Sequence, residues 1–197
     1  LICISDEVDE HLVYEGSHVP IASLPGMCER TITISSFGKT FSLTGWKVGW
    51  AAAPPPLSAA VRGAHQFITF ATATPLQHGA AAALRAGPEY YRQLLADYRA
   101  RRDYLLTELS RIGFGVQPPA GTYFVCAEFG QFGFTDDVEF CRHLIEHAGV
   151  AAIPPSFFYD NKAHGRTYVR FSFCKKMDTL REAVGRLEKL CDARRPA

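Results

Sequence analysis

Pro88 and Gly113 bracket the longest helical pattern in the chain, "EYYRQLLADYRARRDYLLTELSRIG", and this segment limits the possible folds more than any other. Proline suits a first helical turn, where its missing N–H would have no partner anyway, and glycine suits the position that ends a helix. The two sides of the segment read differently. Before it lie three short, mostly continuous β-rich runs, "LICIS" (1–5), "RTITIS" (30–35) and "KVGWAAA" (47–53), the pattern of strands covered on both faces. Helices are expected over 57–70 and from Pro75 through "LQHGAAAAL". After it, strands at 122–129 and 167–174 alternate with helices at 136–149, capped by Asp136, and at 178–193, capped by Asp178. The pattern predicts an α/β chain in two parts: a mostly parallel sheet with helices over 1–85, then a smaller α+β unit over 86–197 that begins with the long helix.

Composition narrows the function. With 197 residues, 47% of them hydrophobic and 21% charged, the chain can bury the core of one large domain or two modest ones. The formal charge of +1 and the lack of a basic stripe imply no nucleic-acid partner. Apolar runs such as "GWAAAPPPLSAAV" are short and broken by prolines, so no membrane-spanning helix is expected. The chain opens directly on a strand pattern, with no signal peptide, which suggests a segment of something longer. Six scattered cysteines (Cys3, Cys28, Cys126, Cys141, Cys174, Cys191) read as buried free thiols of a reducing compartment. The cytoplasm is the expected location, with a mitochondrial or plastid address left open because any targeting sequence would be out of view.

The run "ISSFGKTFSLTGWKVGW" (34–50) carries the chemistry. Its Gly38-Lys39-Thr40 resembles the end of a nucleotide phosphate loop, but such a loop needs a glycine five residues before Gly38 so that the backbone can curl around phosphate. That position is Thr33, β-branched and inside a strand pattern, and another strand pattern follows the run. The alternative delivers Lys39 to the carboxyl edge of a sheet, where α/β proteins place ligands. A lysine forms a Schiff base only when its amine is neutral, so it needs desolvation or a cationic neighbour. Phe37, Phe41 and Trp46 offer the first, and Lys47 the second.

This run resembles the cofactor-lysine signature of the fold type I pyridoxal-phosphate aminotransferases. "SDEV", "ASLPGM", "AGTYFV", "VAAIPPSFFY" and "VRFSFCK" are similar, in order along the chain, to the branch containing kynurenine aminotransferases and glutamine transaminase K. The resemblance covers the carboxyl-terminal half of such an enzyme: the end of the large cofactor-binding domain and the small domain. It implies pyridoxal 5'-phosphate as cofactor, a homodimer, and transfer of an amino group between a large neutral or aromatic amino acid (kynurenine, glutamine or methionine-like) and a 2-oxo acid. The rival is an impaired fragment or a non-catalytic subunit of the same fold.

The resemblance assigns Lys39 to covalent cofactor binding and proton transfer, Ser36 and Lys47 to the phosphate, and Asp6 to the pyridine nitrogen. Arg170, inside the apolar "YVRFSF", is costly to bury unless it meets an anion, an internal salt bridge being one way; in the resemblance it matches the arginine that grips the substrate carboxylate and lets binding close the cleft. Phe70 matches an aromatic lent to the neighbouring subunit, and Tyr123, with Phe124, is expected to line the substrate pocket. One departure stands out. Family members carry a tyrosine, hydrogen-bonded to the cofactor's phenolic oxygen, where this chain has Asp9. Three outcomes are open: a protonated Asp9 in a dry site, an Asp9 turned away with water or Tyr14 in its place, or reduced activity. "HLIEH" (143–147) fits a zinc spacing without a third ligand and reads as a solvated helix face, as does "RARRD" (99–103), so no metal site is expected.

Overall fold

The computed structural model describes residues 1–192 and separates into two compact units, 1–95 and 96–197. In the first, β1 (Cys3–Asp6), β2 (Thr31–Ser36) and β3 (Gly49–Ala52) form one sheet in that order. β1 and β2 run parallel with Asp6 beside Ile34, so both strands end at the same edge. β3 is antiparallel to β2, and here the expectation of a mostly parallel sheet is modified. The reversal is local: β2 ends in a single helical turn, α1 (Phe37–Thr40), and a short turn then closes on Lys47, whose backbone is left-handed at φ 54°. β3 opens at Gly49, opposite Ser36, where any Cβ would lie 2.7 Å from the Ser35 carbonyl oxygen. Only glycine permits that approach.

Helices α2 (Pro55–Ile68) and α3 (Thr74–Ala83) each carry proline in the first turn, and α4 (Pro88–Ile112) is the long helix, ended by Gly113 at φ +119°. A small core joins Phe37, Val48 and Ala80, with Phe41, Leu43, Leu76 and Ala83 packed on it. The strands are less covered than their sequence suggests. Ile4, Ile34 and Trp50 are exposed, as are Phe67, Ile68 and Phe70.

In the second unit, β4 (Gly115–Val116), β5 (Phe124–Glu128) and β6 (Tyr168–Ser172) form an antiparallel sheet. Helices α5 (Asp137–Ala148) and α6 (Met177–Asp192) complete it. Asp136 caps α5 by accepting hydrogen bonds from the Val138 and Glu139 N–H groups, as its sequence position predicts. Asp178 instead sits inside the first turn of α6 and pairs with Arg181, because that helix starts one residue earlier. Position 193, expected to end α6, and the Cys191 side chain lie outside the described residues. The core is aromatic: Phe140 packs on Phe129, Phe134, Phe132 and Phe114 at ring distances of 4.4 to 6.1 Å.

Two further expectations are corrected. Arg102, in the supposedly solvated "RARRD" segment, is buried; its guanidinium donates to Asp103 Oδ1 at 2.8 Å and to the Pro119 carbonyl at 3.2 Å. Among the described residues the thiols are mostly not buried: Cys28, Cys126 and Cys174 are exposed, Cys3 is half-buried and Cys141 is enclosed, its pKa pushed up to about 12 by burial and by Asp137 beside it. Among the described residues no helix is long and apolar enough to cross a membrane.

Candidate active site

The carboxyl edge of β1 and β2 collects the charged groups of the first unit. Asp6 is the last residue of β1, and its Oδ1 accepts the Val8 N–H at 3.2 Å, which bends the chain into a turn over residues 7–12. That turn brings Asp9 back to the edge, where Lys39 on α1 lies within electrostatic reach of it. Burial pushes the Asp9 carboxyl above the ordinary aspartate range; the Lys39 charge opposes that rise and the Asp6 charge adds to it. Asp9 Oδ1 is buried and has no hydrogen-bond partner.

The acids of "SDEVDE" divide their work. Glu7 and Glu10, to which the sequence reading gave no role, hold the turn to the scaffold. Buried Glu7 accepts from Ser5 Oγ at 2.9 Å and from the Ile21 N–H at 3.1 Å, and it lies 2.8 Å from His18 Nε2. Glu10 accepts from Ser35 Oγ at 2.8 Å. Asp6 and Asp9 are left toward the edge. The alternation of acids in the sequence was the available signal, but these partners, up to 25 residues away, were not.

Ser36 closes β2 and caps α1, its Oγ accepting the Gly38 N–H at 3.3 Å. Beneath Lys39, Phe37 is buried and Phe41 stacks on Tyr90 at 5.1 Å, while Trp46 lies against Gly79. Lys47 is exposed and left-handed. Phe70 is 79% exposed and also left-handed, at φ 69°, a conformation a bulky side chain seldom adopts without a constraint.

The second unit offers a different group. The Arg170 guanidinium packs on two phenyl rings, Phe124 on β5 and Phe158, each 4.6 Å from its central carbon. Among the described residues no carboxylate pairs with it. A guanidinium packed on aromatic rings keeps its in-plane N–H donors for a ligand, and they match a planar carboxylate. Phe158 is tied in place through its segment: the Ser156 N–H donates to buried Asp137 Oδ2 at 2.8 Å, and Ile153 bridges to Arg170. Gly165 packs so closely there that a Cβ would lie 2.5 Å from Ser156 N. Phe158 had no role in the sequence reading, although it sits in a segment quoted for the resemblance. Tyr123 precedes β5 next to Thr122, another left-handed residue at φ 69°. His143 and His147 stack on each other at 4.2 Å along α5.

The chain belongs to the aminotransferase class I and II family, whose profile matches residues 1–187. That family works with pyridoxal phosphate. The chain is 47% identical, over all of its length, to the probable N-succinyldiaminopimelate aminotransferase DapC of Mycobacterium tuberculosis, of which it covers 51%. It is 42% identical to the methionine aminotransferase of Escherichia coli, covering 49% of that protein with 96% of its own length. The three-dimensional structure of the Mycobacterium tuberculosis N-succinyldiaminopimelate aminotransferase superimposes with a TM-score of 0.92 at 48% identity, over 96% of this chain and 50% of that one. The chain thus spans about half the length of the curated relatives it matches.

Proposed function

We propose that this chain forms part of a pyridoxal-phosphate-dependent transaminase that moves an amino group between a large neutral or aromatic amino acid and a 2-oxo acid. The observation that carries the reading is the convergence of Lys39, Asp6 and Asp9 at one sheet edge, in a chain whose family has this chemistry. The donor set fits the cofactor: an amine for its aldehyde, a carboxylate for its pyridinium nitrogen, and a hydroxyl with a second amine for its phosphate. In this reading Lys39 Nζ, Asp6, Ser36 and Lys47 hold it. When bound, the cofactor supplies an electron sink for the pair left at the donor's Cα.

Each side chain then has one task. Lys39 Nζ, freed when the amino donor takes its place, accepts the proton from Cα and carries it onward. Asp6 keeps the ring nitrogen protonated by its charge. Arg170 binds the α-carboxylate through its in-plane N–H groups, with Phe124 and Phe158 excluding water from its faces. Tyr123 lines the side-chain pocket, and Phe70, exposed and strained, suits an aromatic lent to a second copy in a homodimer. The boundary between the cofactor-binding part and the small domain falls near the start of α4.

A second donor reading has support of its own. The 47% identity to a protein named as an N-succinyldiaminopimelate aminotransferase favours a donor with a second, distant carboxylate. Two measurements on the full-length protein test these readings. Mixing with pyridoxal phosphate is expected to produce an absorbance band at the edge of the visible that Lys39→Ala abolishes; a band unchanged in the variant removes Lys39 from its role. Turnover with methionine, kynurenine, glutamine and N-succinyl-diaminopimelate, each against 2-oxoglutarate, ranks the donors, and a preference for the last overturns the neutral-donor assignment.

A further inference from the structure

The turn that carries Lys39 is too short to hold itself. A helix of four residues, such as α1, gains too few internal hydrogen bonds to offset the entropy of fixing its backbone, so its geometry depends on what grips its ends. Its carbonyls show where the grip lies. Phe37 O accepts the Phe41 and Leu43 N–H groups at 3.2 and 3.4 Å, Gly38 O accepts the Thr44 hydroxyl at 2.9 Å, and Lys39 O accepts the Ser42 N–H at 3.3 Å. Those partners are all local. Ser42 adopts a left-handed backbone at φ 56°, which a serine seldom does without a constraint. The Thr40 carbonyl is held from much farther along the chain: it accepts the Tyr90 hydroxyl of α4, 50 residues away, at 2.6 Å.

We propose that Tyr90 is a positioning residue for the amine: its hydroxyl, through the Thr40 carbonyl, holds the single turn of α1 in the geometry that keeps Lys39 at the sheet edge. The inference rests on the reading of Lys39 as the reactive amine and adds to it a residue that acts through the backbone. Aromatic rings bring the hydroxyl to its place. Tyr90 stacks on Phe41 with 5.1 Å between ring centroids and 14° between ring planes, and Tyr91 meets both rings edge-on at 5.5 and 6.2 Å. A stack resists separation but tolerates sliding, whereas a hydrogen bond fixes direction. Thr40 is buried, so without the hydroxyl its carbonyl is left poorly satisfied and the end of the turn is free to shift. A reacting group misplaced by about 1 Å can lose about a hundredfold in rate, so a tie of this kind governs rate more than binding.

Tyr90→Phe in the full-length protein keeps the ring and its stack and removes only the donor. Mixed with pyridoxal phosphate, this variant is expected to develop the Lys39-dependent absorbance band about tenfold more slowly than the native protein, the worth of roughly one hydrogen bond. Turnover should show the same loss in kcat with the KM for the amino donor little changed, both counted per band-forming site so that unfolded protein drops out. Tyr91→Phe is the control: it removes a neighbouring hydroxyl that has no hydrogen bond among the described residues, and it should match the native protein. A native rate of band formation in Tyr90→Phe overturns the proposal, and so does an equal loss in Tyr91→Phe. A lowered melting temperature with kcat per site unchanged overturns it too, since that is the mark of a merely structural contact. Amide exchange in the cofactor-free native protein gives an independent reading. The Phe41 and Leu43 N–H groups must exchange at least about tenfold more slowly than in an unfolded chain, and exchange at the free-chain rate overturns the proposal even where a variant fails to fold. Native behaviour of Tyr90→Phe, with the band still abolished by Lys39→Ala, would remove Tyr90 alone; a band that survives Lys39→Ala would remove the transaminase reading and this role with it.

Discussion

The surroundings of Lys39 and of Arg170 are built on opposite principles. Arg170 stands on a sheet backed by phenylalanines: Phe129, Phe140 and Phe173 are fully enclosed, and the ring contacts around Phe140 run through most of the second unit. Lys39 stands on a core of three buried residues, Phe37, Val48 and Ala80, and the turn opposite it is fixed by carboxylate hydrogen bonds. Packing of apolar rings does not depend on pH, whereas a carboxylate network does. The comparison teaches that the guanidinium end is set by shape and the amine end by protonation.

The largest test of this contrast is Phe140→Ala. It removes the ring on which four others pack and is expected to lower stability by about 3–5 kcal/mol, read by denaturant unfolding, with little change in the slope of stability against pH. A loss as small as that of a polar substitution would break the claim that packing dominates there. Next comes Glu7. Burial pushes its carboxyl up, but the hydrogen bonds from His18, Ser5 Oγ and the Ile21 N–H, with the His18 charge, outweigh that and hold it below the ordinary glutamate range. A carboxyl depressed in the folded state contributes stability that is present above its unfolded pKa, and this is lost as pH falls through the folded one. Acid unfolding should therefore weaken the first unit progressively below the usual glutamate range. Glu7→Gln should cost about 1–2 kcal/mol at neutral pH and flatten that acid dependence. Equal acid slopes in the native protein and the variant would place the pH response elsewhere.

Much of this was readable in the chain, for reasons particular residues make plain. Pro88 and Gly113 mark the long helix, and Asp136 marks the start of α5, because those signals act within a turn of themselves. Lys39 and Asp6 reach one edge because β1 and β2 are adjacent and parallel, which short continuous apolar runs suggest. Strand direction is a different matter: hydrophobicity does not encode it, and the reversal before β3 depends on Lys47 adopting a left-handed backbone that its residue type does not announce. Arg102 was misread because a basic run looks alike whether or not one of its members turns inward to the Pro119 carbonyl. The anchors of Glu7 and Glu10 were hidden for the same reason, since Ile21 and Ser35 are distant in sequence and carry no mark of their partner. The exposed thiols show the limit of residue averages: cysteine is commonly buried, yet Cys126 sits in β5 on the outward face.

The smallest expected effect sharpens the contrast most, because it separates shape from stability on the guanidinium side. Phe158 is 64% exposed, so its truncation to alanine removes little buried area, and stability should change by no more than about 0.5 kcal/mol. Its ring nevertheless covers one face of Arg170 at 4.6 Å. Without it water reaches that face, the guanidinium gains freedom to tilt, and its N–H donors no longer lie in one fixed plane. Binding of a simple carboxylate such as 3-phenylpropionate to the full-length protein, measured by calorimetry, should weaken about two- to fivefold, corresponding to roughly 0.5–1 kcal/mol for a cation–π contact at an exposed site. Phe124→Ala removes the other ring and should weaken the same ligand at least as much, while also loosening the strand that carries it. Unchanged binding in Phe158→Ala would mean that Arg170 is oriented by its strand alone. A stability loss on the scale of Phe140→Ala would mean that the 153–165 segment belongs to the packed core, and that the aromatic clamp is a consequence of folding with no part in orienting the guanidinium.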